Sequence, residues 1–152
     1  MGAAYFYHLT QRPLEVVLPQ LLERALAQGW RVAVRGREAG HMTWLDEKLW
    51  LVPEDGFLPH ALDGGPQDSA QPVLLTTGTE LRNDAVCLMS VDGAEVSAAE
   101  VQAMQRVCVL FDGNDPGAVQ TARVQWKALT DAGCPAQYWS EESGRWEKKA
   151  EK

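Results

Sequence analysis

Residues Val107 to Phe111 are apolar at every position. A short run of this kind fits a strand covered on both faces. Similar runs lie at Ala4 to Leu9, Trp30 to Val34, Val73 to Thr76, Ala85 to Val91 and Ala136 to Trp139. Between several of them the apolar period lengthens from two residues to between three and four, the spacing of a helix. Strands alternating with helices form a mainly parallel sheet with helices on both faces, so the expectation is a three-layer α/β/α fold. The 152 residues suit one domain with a real core.

The helices have local start and stop signals. Pro13 suits a first helical turn, and Leu14, Val17, Leu18, Leu21, Leu22, Ala25 and Leu26 then mark one apolar face. Pro19 interrupts it, so the helix bends there or its regular part starts there. Gly29 reads as the C-terminal stop. Gly36 to Gly40 reads as a turn. Met42, Leu45 and Leu49 share the next helical face, with Asp46 and Trp50 beside it, and Pro53 ends it. Ser97 and Glu100 have capping-box spacing ahead of a short helix through Met104. Asp115-Pro116 opens a helix with Val119, Ala122, Trp126 and Leu129 on one face, closed by Gly133. Val52 to Pro72 contains four prolines and is too long for a routine connection, so it is read as a binding or covering loop with Phe57 and Leu58 as apolar anchors. The domain is expected over 1–140. The charged segment 141–152 around Trp146 is expected to be a mobile tail.

Composition excludes several classes of function. Fourteen Lys and Arg against 21 Asp and Glu give a net charge of -7, which argues against bulk nucleic-acid binding. No run approaches a membrane span, and Met1 to Tyr5 has neither the charge nor the apolar run of a signal peptide. Cys87, Cys108 and Cys134 are an odd number without a close pair, as expected of buried thiols in a reducing cytoplasm. There is no phosphate-loop or dinucleotide fingerprint. His8, His41 and His60 are scattered, so no metal or cofactor is expected. His41 is expected to flank a helix, and His60 to hydrogen-bond within the long loop. Asp112 and Asp115 follow an apolar strand, where α/β sites often form, and read either as an acid or Mg²⁺ site or, for Asp115, as a helix cap.

Six tryptophans remain to be placed, several beside charge. Arg123 and Lys127 are four apart and project together, with Trp126 between them. Such a group suits an acidic peptide with an aromatic end. The opposing reading has Trp126 filling the core while the cations coat the helix.

Two motifs carry a resemblance. One is Leu45-Asp46-Glu47-Lys48-Leu49-Trp50, continuing through Pro53 to Phe57-Leu58-Pro59-His60 and Leu62. The other is Ala122-Arg123-Val124-Gln125-Trp126-Lys127-Ala128, closed by Ala132-Gly133. With these the chain resembles the chi subunit of the bacterial DNA polymerase III holoenzyme, from about Ala4 to Trp139. The resemblance implies a Rossmann-like fold and a non-catalytic adaptor in the cytoplasm. It implies a psi subunit as partner, joining chi to the clamp loader. It also implies binding of the acidic, Pro-Phe-ended tail of single-stranded DNA-binding protein (SSB), with little direct contact to nucleic acid. By motif match Arg123, Trp126, Lys127, Phe57 and Leu58 take the tail, while Trp50 and Pro53 either meet a protein partner, such as psi, or brace the loop against the core. Trp126 replaces a more usual tyrosine. Thr130, followed by Asp131, stands where some chi proteins carry another cation. The alternatives are a structural subunit that has lost tail binding, or an enzyme with a carboxylate site at Asp112 and Asp115.

Overall fold

A computed structural model describes residues 2–51, 59–143 and 145–152. Strand β1 is Ala3–Leu9, β2 Val32–Arg35, β3 Ala61–Leu62, β4 Val73–Thr76, β5 Cys87–Ser90, β6 Arg106–Asp112, β7 Ala136–Ser140 and β8 Glu147–Glu151. Helix α1 is Leu14–Ala27, α2 Ala39–Leu51, α3 Ala98–Ala103 and α4 Pro116–Asp131, with a 3₁₀ turn at Asp68–Ala70. Among the described residues the strands form one sheet in the order β3-β4-β2-β5-β6-β1-β7-β8. Every pairing is parallel except β7 with β8.

The layers follow from side-chain alternation along the strands. On one face Leu18 and Leu22 of α1 and Met42, Leu45 and Leu49 of α2 pack on Val32, Val34, Leu75 and Leu110. On the other, Val101 of α3 and Ala122 and Leu129 of α4 pack on Phe6, Leu88 and Val109. The expected three-layer α/β/α arrangement is therefore present. Gly29 (φ 82°) and Gly133 (φ 87°) take the left-handed conformation just past α1 and α4, where a side chain would be strained.

Several boundaries differ from expectation. Pro13 caps α1 from extended backbone (ψ 165°) and the helix proper begins at Leu14. Helix α1 continues unbroken through Pro19, whose ring is buried in the core while its missing N–H forfeits a bond to the Glu15 carbonyl. The stretch read as a turn to Gly40 already belongs to α2, which starts at Ala39. Strand β2 is displaced from Trp30 to begin at Val32, and Trp30 packs beside the α1 core. The long proline-rich segment yields a two-residue strand, β3, on the edge of the sheet. Its Pro53, Phe57 and Leu58 lie outside the described residues.

The segment after Ser140, read as a mobile tail, carries β8 along the outer edge of β7. Glu141 is buried, and its carboxylate accepts hydrogen bonds from the backbone N–H groups of Gln11 (3.2 Å) and Arg12 (3.1 Å) and from Arg12 Nε (3.1 Å). Trp146 meets Tyr7 edge-on, with centroids 5.3 Å apart. Strand β8 pairs its own charges, Lys148 with Glu151 and Lys149 with Glu147. Charges on an edge strand deter further strand addition.

His8, one residue before the end of β1, lies among aromatic rings. It stacks on Phe111 at 5.1 Å, and its Nδ1 is 2.9 Å from the Tyr138 hydroxyl. A Cβ added at Gly113 would overlap that imidazole. Gly113→Ala is therefore expected to destabilise the chain by about 1–3 kcal/mol through overpacking. Urea unfolding checks this; a midpoint unchanged from the parent would show that the ring moves aside freely.

Candidate protein-interaction surface

Helix α4 starts firmly. The Asp115 carboxylate accepts from the backbone N–H groups of Gly117 (2.9 Å) and Ala118 (3.4 Å), and Pro116 fills the first turn. Its buried face is Ala122, Gln125 and Leu129. Gln125 donates through Nε2 to the Ala94 carbonyl at 3.0 Å, which fixes the rotation of the helix about its axis.

That rotation sends Gln120, Arg123, Val124, Lys127, Ala128 and Asp131 outward, where they line a shallow depression along the helix. Val124 is 59% exposed, unusually open for a branched apolar residue. Arg123 makes no hydrogen bond or ion pair with a described residue. Lys127 Nζ lies 2.8 Å from Asp131 Oδ2, one turn further on. Its hydrogen bond to Asp131 holds the ammonium pKa above the usual lysine range, and the same bond holds the carboxyl below its own. Thr130 turns its hydroxyl back to the Trp126 carbonyl at 2.8 Å, so it offers the surface little.

The sequence leaves two readings for Trp126, a ring offered between the two cations or one filling the core. In the structure it is half-buried and turned toward the sheet, edge-on to Phe6 at 5.3 Å and to Tyr138 at 6.0 Å. Arg123 and Lys127 therefore share the outward face, while Trp126 seats the helix beneath them. Tyr138 is the neighbour that sequence reasoning missed. Burial raises its phenol pKa, and the nearby Arg123 charge works against that rise. The signal was available in the alternation of β7, which puts Ala136 and Tyr138 on the α4 side.

A second exposed surface lies in the opposite helical layer. Trp50 is 52% exposed, and Leu51 and Trp44 of the same helix are also open to solvent. The His60 ring lies 4.2 Å from that of Trp50, and His60 Nε2 is 3.0 Å from the Asp46 carbonyl oxygen. His60 thus reaches back to α2 instead of bonding only within its own loop. It meets Asp46 and Trp50, the pair four residues apart, and braces the chain entering β3 against α2.

The carboxylate alternative has a cavity of its own. Helix α1 leads from β1 back over β6 toward β2, whereas α4 carries the chain from β6 over β1 to β7, so the crossovers leave these neighbouring strands in opposite directions on opposite faces of the sheet. A crevice of about 800 Å³ opens at that point, with Arg37, Asp92, Asp112 and Asp115 in its lining. Yet Asp115 is engaged as the α4 cap, and Asp112 Oδ1 accepts from the Asn114 N–H at 2.9 Å. Both carboxylates thus have local backbone roles. Among the described residues no three His, Cys, Asp or Glu side chains are grouped to hold a metal. No described helix is long and apolar enough to cross a membrane.

No curated protein matches the chain. The family model of the DNA polymerase III chi subunit, HolC, matches residues 1–137, spanning β1 to the start of β7 and so both exposed surfaces. A match over that length, on a three-layer fold of the kind the motifs implied, places this chain in the chi family, as an accessory subunit of the DNA polymerase III complex.

Proposed function

We propose that the chain is a non-catalytic adaptor of the replication machinery in the cytoplasm. It holds the acidic tail of SSB on the outer face of α4, and it meets a psi subunit around Trp50 at the end of α2. The observation that carries the first part is the α4 surface itself. In a chain of net charge -7, Arg123 and Lys127 flank the exposed Val124 on one helical face. Tail aspartates and a terminal carboxylate need cations, and a terminal phenylalanine needs an apolar seat. Phe57 and Leu58 are assigned to the same tail by motif match alone. Pro53, by the same motif match, is assigned to the partner contact with Trp50. Trp126 acts from beneath, keeping the two cations in position.

Titration of the chain with an acidic peptide ending in Pro-Phe tests this, against a control peptide lacking the final Phe. The expectation is micromolar binding that the control abolishes. Lys127→Ala is expected to weaken it by about three- to tenfold at low salt, with a smaller loss as salt rises. An affinity indifferent to Lys127 would place the tail elsewhere. No binding at several hundred micromolar by the parent or by any variant of this face would favour a subunit that keeps its partner contacts without the tail. The Lys127–Asp131 pair and the inward hydroxyl of Thr130 are the features that favour that second reading.

A further inference from the structure

Asp131 stands in a poor place for helix stability. It is the last residue of α4, where a carboxylate faces the negative end of the helix dipole. The last turn of α4 contains no basic residue. The carboxylate instead points back along the outer face to the Lys127 ammonium, 2.8 Å away, and both side chains are more than 60% exposed. Lys152, at the end of the chain, is the other cation whose charge acts on Asp131. Arg123, one turn before Lys127 on the same face, has no such partner among the described residues.

We propose that Asp131 is an internal competitor for the acidic ligand: it occupies Lys127 as a ligand carboxylate would, so binding on α4 proceeds by exchange of one carboxylate for another. This inference rests on the reading of α4 as the tail-binding face. The geometry makes Asp131 a specificity-determining residue. A ligand with a single carboxylate gains little from displacing it. A tail with several aspartates engages Arg123 as well and offsets the exchange. The face is thereby tuned against isolated acidic groups and toward multiply charged ends. Exchange also mutes the response to salt, because added ions weaken the internal pair and the ligand pair together.

A double-mutant cycle tests this with the full chain and an aspartate-rich peptide ending in Pro-Phe. Asp131→Asn keeps the shape of the side chain and removes its charge. It is expected to tighten binding by about two- to fivefold at low salt and to steepen the fall of affinity with salt. In a Lys127→Ala background the same change is expected to give no gain, because the competitor then has nothing to occupy. Binding by Asp131→Asn where the parent binds too weakly to measure would support the exchange in its strongest form. An unchanged affinity for Asp131→Asn overturns the inference while the tail site stands. So does an equal gain with and without Lys127, which would mark simple repulsion between Asp131 and the peptide. A Lys127→Ala variant that binds like the parent overturns the tail site, and the inference with it. Absence of binding by the parent and by Asp131→Asn alike does the same.

Discussion

Arg35→Ala is expected to lower the unfolding free energy by about 3–5 kcal/mol, the range for breaking a buried, hydrogen-bonded ion pair from one side. Arg35 is only 3% exposed at the end of β2. Its guanidinium donates to the carbonyl oxygens of Gly78 (2.9 Å), Glu95 (3.1 Å) and Thr79 (3.4 Å). It also forks onto Glu100, at 3.0 Å to Oε1 and 2.6 Å to Oε2. One side chain therefore ties the exit of β2 to the β4–β5 connection and to the start of α3. Truncation leaves those carbonyls without their donor, and leaves the partly exposed Glu100 carboxylate with only its Ser97 hydrogen bonds. Lysine at the position does not rescue, since a single ammonium cannot reproduce the planar fork. Urea unfolding measures the loss, and a change below about 1 kcal/mol would show that water replaces the guanidinium easily.

The same clamp gives the stability a pH limb. Burial pushes the Glu100 carboxyl upward, but hydrogen bonds from Arg35 and the Ser97 backbone outweigh it and hold the pKa below the usual glutamate value. A carboxyl depressed in the folded state stabilises fully above its unfolded pKa. That contribution disappears as pH falls through the folded value. Glu100→Gln is thus expected to cost stability at neutral pH, less than Arg35→Ala because Glu100 is partly exposed. It also flattens the acid side of the stability curve. An acid limb as steep as the parent's would assign it to other carboxylates.

What the sequence disclosed here was local. Asp115-Pro116, the Ser97–Glu100 capping box and the two glycine stops depend on neighbours within a few residues, and each stands where it was read. The capping box is complete, with both reciprocal hydrogen bonds formed. The uninterrupted apolar run of β6 likewise announced a strand covered on both faces. Strands β3 and β8 were not legible, because β3 is too short to show a period and β8 has no apolar pattern. The first has two residues, and the second, Glu-Lys-Lys-Ala-Glu, joins the sheet because β7 offers an open edge. Long-range partners were equally hidden. Arg35 looked like the last residue of a strand, and nothing near it in sequence points to Glu100. On the candidate surface, spacing alone put Arg123 and Lys127 on one helical face. It could not say which way Trp126 turned, since a residue at the margin of an apolar face satisfies both readings. That was decided by Phe6 and Tyr138, more than 100 positions away and close behind.

Trp126→Ala is expected to cost about 2–4 kcal/mol, somewhat under the range for a fully buried tryptophan because the ring is only half-buried. The ring bridges two layers, edge-on to Phe6 in β1 and to Tyr138 in β7. Its removal opens a void where α4 rests on the sheet, and edge-to-face contacts are lost beyond the buried area itself. Trp126→Phe keeps a flat ring in that slot and is expected to cost no more than about 1.5 kcal/mol. The two substitutions separate support from contact. If the tryptophan works from beneath, Trp126→Phe leaves affinity for an acidic Pro-Phe peptide within about twofold of the parent. Trp126→Ala then loses affinity together with stability, as the helix that spaces Arg123 and Lys127 loosens. A stable Trp126→Phe chain that binds as poorly as Lys127→Ala would mean the opposite: the indole margin reaches the ligand, and the receiving surface extends over the edge of α4 toward Tyr138. Paired unfolding and titration on the same two proteins decide between a pillar and a contact, because only a contact moves affinity while stability stays.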